Sequence, residues 1–135
     1  MEYTSKHIDI MPKDIEMING IYSILSKPDA MKIFLNAREG FVSRGDTHKE
    51  WGLTKKQYYT RLNQLSKGYK LVEKQVGVHK HTALGTVIYN NQILPLITTM
   101  RKGREFEMIE VLKKDSRFGA EVEKFIDDLS KVGNS

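Results

Sequence analysis

Between Gly52 and Val72 the chain reads GLTKKQYYTRLNQLSKGYKLV, a stretch dense in side chains that bond phosphates and base edges. The Asn63 amide has the geometry to pair with an adenine edge, Thr60 offers a methyl and a hydroxyl to a thymine, and Tyr59 lies on the same flank. Lys55, Lys56 and Arg61 are cations suited to phosphate or guanine. Taken alone these residues are also what an ordinary solvated helix face carries, so their chemistry depends on what positions them.

Other reactive types are less organised. His79 and His81 stand two apart, on one face of a strand, as a pair of metal ligands would. No third ligand lies at a recognisable spacing, so no metal is expected, and contact with phosphate or solvent is the reading for His79. Asp127-Asp128 and Glu105, Glu107 and Glu110 pair carboxylates only in sequence, because such neighbours on a helix point in different directions. There is no phosphate-binding glycine loop and no nucleophile elbow, so neither catalysis nor a cofactor is expected.

Charge narrows the partner. The net charge is +5 over 135 residues. From Thr47 to Thr82 eight Lys or Arg face only Glu50 and Glu73, a local +6, so the remainder sums to −1. Clustering of this kind is the footprint of a polyanion binder, since each neutralised phosphate releases condensed counterions. The absence of Cys excludes disulfides and thiolate chemistry. No apolar run reaches the roughly 20 residues of a bilayer span, and a cytoplasmic protein without a membrane partner is expected.

The elements that must hold the basic stretch follow from local signals. Residues 1–13 read as a flexible arm. Asp14 is suited to cap a helix striped by Ile15, Ile18, Tyr22 and Leu25, with Gly20 marking a close contact. Pro28 opens a second helix whose Ala30, Ile33, Phe34 and Ala37 face one way, and Gly40 ends it. Both helices are expected in the core. Phe41 to Thr47 reads as a connector, and His48 to Trp51 as a single helical turn closed by Gly52, with Trp51 packing it onto the core.

Thr54 and Gln57 have capping-box spacing, which predicts a helix start. Tyr58, Leu62 and Leu65 form its apolar face, and Gly68 is expected to supply the left-handed residue that ends it. Leu71 to Val76 and His79 to His81 read as a hairpin with a tight turn at Val76-Gly77-Val78. Beyond Ala83 the pattern is helical, with either a kink at Pro95 or a break near Asn90-Asn91. Phe106, Ile109 and Leu112, then Val122, Phe125, Ile126 and Leu129, give two further apolar stripes. Arg104 to Lys131 carries eight acidic and six basic groups, which does not suit phosphate.

Three ordered segments, LSKPDAMKIFLNA, GLTKKQYYTRLNQLSKGYKLVEK and HTALGTVIY, resemble the winged helix-turn-helix regulators of the ArsR-like type, archaeal ones especially. The resemblance covers roughly residues 14 to 100. It implies a mainly α fold with a small β-hairpin: a winged-helix domain at 14–100, followed by a C-terminal helical extension at 101–135 whose surplus apolar surface is expected to serve dimerisation, the alternative being that it folds back over its own core. It implies a transcriptional regulator of double-stranded DNA, with the helix at 54–67 in the major groove and the wing at 71–82 on the backbone or minor groove. The residues so assigned to DNA are Thr54, Lys55, Lys56, Gln57, Tyr59, Thr60, Arg61, Asn63, Lys67, Lys74, Gln75, His79 and Lys80. Two features depart from the pattern: Thr47 and His48 stand where aliphatics are usual, and Tyr69-Lys70 replaces a simple Gly-Leu step. The alternative is a winged helix used for protein contacts in a larger assembly.

Overall fold

A computed structural model describes residues 8–131. The fold is mainly helical with one two-stranded antiparallel hairpin. It divides into two compact units, the first ending at Gly85 and the second beginning at Thr86, whereas the sequence suggested a division near residue 100. Residues 1–7 of the expected arm lie outside the described residues.

In the first unit, helix α1 spans Pro12–Leu25 and begins two residues ahead of the expected Asp14 cap. Pro12 suits a first turn, where its missing N–H would go unbonded in any case, and Asp14 accepts from the Met11 amide at 2.9 Å. Ile24 and Leu25 are buried, but Ile15, Ile18 and Tyr22 are 50–58% exposed. The C-terminal end of the expected stripe is therefore in the core, while Ile15 and Ile18 are not. At Gly20 a Cβ would stand 2.8 Å from Tyr69 Cε1, so this glycine admits the tyrosine ring against the helix.

Helix α2, Pro28–Asn36, buries Ala30, Ile33 and Phe34, with Ala37 just beyond its end. The single turn α3, Thr47–Glu50, leads through Gly52 at φ 68° into α4, Lys55–Asn63. Thr47 is buried with its hydroxyl accepting from the Arg44 amide at 2.7 Å. The polar residue at this packed position is thus internally bonded. The neighbouring His48 ring is buried too, with Nδ1 lacking a hydrogen bond.

The helical path that α4 begins ends at Gly68, the expected residue, but Gly68 does not take the left-handed conformation. The path finishes in a π turn, Gln64–Gly68, closed by the Tyr69 amide on the Gln64 carbonyl at 2.9 Å. Lys70, at φ 56°, takes the left-handed position instead.

Strands β1, Val72–Gln75, and β2, Val78–His81, pair from Val72 opposite His81 to Gln75 opposite Val78. Phe41, expected in a connector, bridges β2: its amide donates to the His79 carbonyl at 3.0 Å and the His79 amide to its carbonyl at 2.7 Å.

The end of the hairpin is pinned to helix α5, Ala83–Ile88. Thr82 Oγ1 donates to the Lys70 carbonyl at 2.7 Å and accepts from the Gly85 amide at 3.0 Å. That second bond is an N-terminal cap of the usual kind.

In the second unit the helical path continues through a π turn, Tyr89–Ile93, into α6, Leu94–Met100. Pro95 falls in the first turn of α6, so the widened turn takes the place of the expected kink or break. Helices α7, Gly103–Leu112, and α8, Gly119–Ser130, pack on each other and bury Ile109 and Val122. Among the described residues no helix is long and apolar enough to cross a membrane.

Candidate nucleic-acid interface

Helix α4 starts with both halves of the capping box formed. Thr54 Oγ1 accepts from the Gln57 amide at 3.1 Å, and Gln57 Oε1 accepts from the Thr54 amide at 2.9 Å. Fixing the first turn in this way sets the azimuth of everything after it. Tyr58 and Leu62 turn inward, with Leu65 following in the π turn. Thr54, Lys55, Lys56, Gln57, Tyr59, Thr60, Asn63 and Lys67 are exposed. Thr54, Lys56, Gln57, Thr60 and Arg61 line an open depression of about 200 Å³.

Inward anchoring is aromatic. The Tyr58 hydroxyl and the Ser43 hydroxyl are 2.7 Å apart. Burial pushes the Tyr58 phenol above its ordinary range, partly offset by that hydrogen bond. Its ring meets Trp51 edge-on at 5.7 Å and Tyr59 edge-on at 4.9 Å. Trp51 in turn contacts Phe41 at 4.9 Å, and Phe41 stacks on His79 at 5.0 Å. One row of rings therefore runs from the hairpin to the exposed face of α4, which restricts the half-exposed Tyr59.

Two of the sequence-assigned residues are placed differently from the rest. Arg61 is half-buried, with its Nε 3.0 Å from both carboxylate oxygens of Asp29 and an Nη donating to Gln64 at 3.0 Å. It clamps α4 to α2 rather than standing free for phosphate. His79 is buried against Phe41, with Nδ1 unbonded, and is withdrawn from the surface. Sequence reasoning had no view of Asp29 as the partner, 32 residues away. For Phe41, the aromatic and β-branched pair Phe41-Val42 after Gly40 was the one available strand signal.

The electrostatics of the exposed set are one-sided. Among the described residues no carboxylate pairs with Lys55, Lys56, Lys67, Lys74 or Lys80. Five ammonium groups are thus left for an external anion. Gln75 is exposed on the hairpin, with its amide bonded to Glu73.

The hairpin histidines carry a pH dependence. Burial holds His79 below its ordinary value of 6.5, and the Lys74 charge across the strand pair adds to the effect. Burial likewise lowers His81, opposed by its bond to the Phe34 carbonyl and reinforced by Arg38. The His81 ring stacks on Phe34 at 4.3 Å, and its Nε2–H donates to that carbonyl at 2.7 Å. Both rings prefer to be neutral in the fold, so protons bind the unfolded chain more readily. Stability is then fully present above about pH 6.5 and is lost as pH falls through the lower folded-state values. Thermal melts between about pH 7.5 and 5.5 should show this decline, and His79→Phe should flatten it by keeping the stack without a titrating group. An unchanged slope in that variant would remove His79 as a source.

Compared with known protein families, curated proteins and solved structures, the chain shows no significant match to any.

Proposed function

We propose that this chain is a non-enzymatic transcriptional regulator of the winged helix-turn-helix type, ArsR-like, that binds duplex DNA in the cytoplasm. The observation that carries the reading is the exposed face of α4, where Lys55 and Lys56, without a carboxylate partner among the described residues, flank Tyr59, Thr60 and Asn63, beside a hairpin bearing Lys74 and Lys80. An α-helix of this size fits the major groove, and a two-stranded ribbon reaches the backbone or minor groove alongside. Thr54 and Gln57 serve mainly to fix the helix start. Lys55, Lys56, Lys67, Lys74 and Lys80 supply phosphate contacts, and Tyr59, Thr60 and Asn63, with Gln75 on the wing, the sequence preference. Arg61 and His79 act as supports rather than contacts.

The functional species in this reading is a homodimer, which matches a palindromic site. Its support is the apolar surface left exposed on the C-terminal helices, at Met108, Val111 and Ile126. Patches of this kind on a folded chain are a common mark of association.

The test is fluorescence anisotropy with the duplex enriched from a random library of about 20 base pairs, two half-sites long. A scrambled duplex serves as control over a salt series. Wild type should bind the enriched duplex tightly and with steep salt dependence. Tyr59→Ala/Asn63→Ala should lose about 10- to 100-fold on that duplex and little on the scrambled one. Weak binding, indifferent to sequence and to these substitutions, would favour a protein-contact role instead.

A further inference from the structure

The hairpin tip carries a residue that neither its backbone nor its packing explains. Val76 and Gly77 are the two loop residues between Gln75 and Val78, with φ 49° and 81°. Two successive left-handed residues are what a two-residue hairpin turn requires, and Asn, Asp or Gly normally fills the first position. A β-branched residue there is strained. Val76 is also fully exposed, at 103% of its reference area, so no packing within the chain repays the strain.

The surroundings of the tip indicate an occupant. Cross-strand partners share a face of a ribbon, and faces alternate along each strand. Lys74, opposite His79, and Lys80, opposite Glu73, therefore lie on opposite faces, one to each side of the ribbon. Neither ammonium is paired with a carboxylate among the described residues, Glu73 being bonded to Gln75. A narrow ribbon with a cation on each face and an aliphatic group at its tip matches a groove with two phosphate walls and a lining of sugar C–H groups. Proteins that enter the minor groove combine cationic side chains with inserted apolar ones.

We propose that Val76 is an apolar contact to duplex DNA, seated between the sugar-phosphate walls of the minor groove while Lys74 and Lys80 address the phosphates on either side. The assignment rests on the DNA-binding reading above. It explains why a strained residue stands where a better turn former would fit.

Stability and binding should then move in opposite directions. Val76→Asn relieves the turn, so its melting temperature should equal or exceed that of wild type. Its affinity for the enriched duplex should fall about 5- to 10-fold, the scale of one partly buried aliphatic side chain. Because the lost contact is uncharged, the salt slope should stay unchanged, whereas Lys74→Ala should lower it by about one unit. Val76→Ile should retain wild-type affinity. Binding by Val76→Asn within about twofold of wild type would overturn the contact. A loss accompanied by melting below wild type would overturn it too, by placing the effect in the turn. Failure of wild type to bind any duplex would instead overturn the DNA-binding reading itself.

Discussion

Gly85→Ala is expected to cost about 3 kcal/mol of folding stability, because the new methyl has nowhere to go. Its Cβ would stand 2.1 Å from the Leu71 carbonyl oxygen and 3.1 Å from the carbonyl carbon. Relief requires either α5 or the chain leading into β1 to retreat by about 1 Å, and both are tied. The Leu71 carbonyl accepts from the Thr82 amide at 3.1 Å, and the Leu71 amide donates to the Leu65 carbonyl at 2.8 Å. Thr82 Oγ1 joins the Lys70 carbonyl to the Gly85 amide. Retreat therefore loosens several hydrogen bonds, at about 1 kcal/mol each, as well as the close packing. Against a total of about 5–15 kcal/mol this is a large fraction. Urea titration should show a lower midpoint with the same slope. Gly68→Ala is the control, since nothing lies within 4 Å of its Cβ and its φ is not positive. Equal effects at the two positions would sink the overlap argument.

Arg61→Ala should destabilise the chain by about 2 kcal/mol without changing the salt slope of duplex binding. The Arg61 and Asp29 side chains are 24% and 11% exposed, so the pair is partly screened and the expected loss lies below that of a fully buried one. What remains costly is leaving the Asp29 carboxylate partly buried without its cation. Asp29→Ala should destabilise similarly, and the double variant should cost less than the two single losses added. Arg61→Lys should recover little, because an ammonium cannot reproduce the guanidinium's planar bond to the carboxylate. A salt slope that drops by about one unit, with stability intact, would return Arg61 to the phosphate contacts.

What was legible in the sequence was local. Thr54 and Gln57 announced the start of α4 because the capping box is completed within three residues. Ala30, Ile33, Phe34 and Ala37 announced the buried face of α2 by spacing alone, and Val76-Gly77 announced the turn. What was not legible depended on partners distant in sequence or on the hydrogen-bond ladder slipping. The π turn at Gln64–Gly68 moved the left-handed residue from Gly68 to Lys70, a shift that no composition signal marks. The stripe on α1 announced an amphipathic helix, but Ile15 and Ile18 show that amphipathicity does not say what covers a face. Residue type alone makes Arg61 and His79 look like contacts. Asp29 and Phe41, which claim them, are brought there only by the fold.

Trp51 gives this row of rings an optical meaning. It is the only tryptophan in the chain and lies in the first unit, edge-on to both Phe41 and Tyr58. Light absorbed at the red edge of the indole band therefore addresses that unit alone, while backbone ellipticity collects the helices of both. The chain carries an intrinsic label for its candidate binding half, placed between the hairpin and α4, and the melting of that unit can be followed without any added dye.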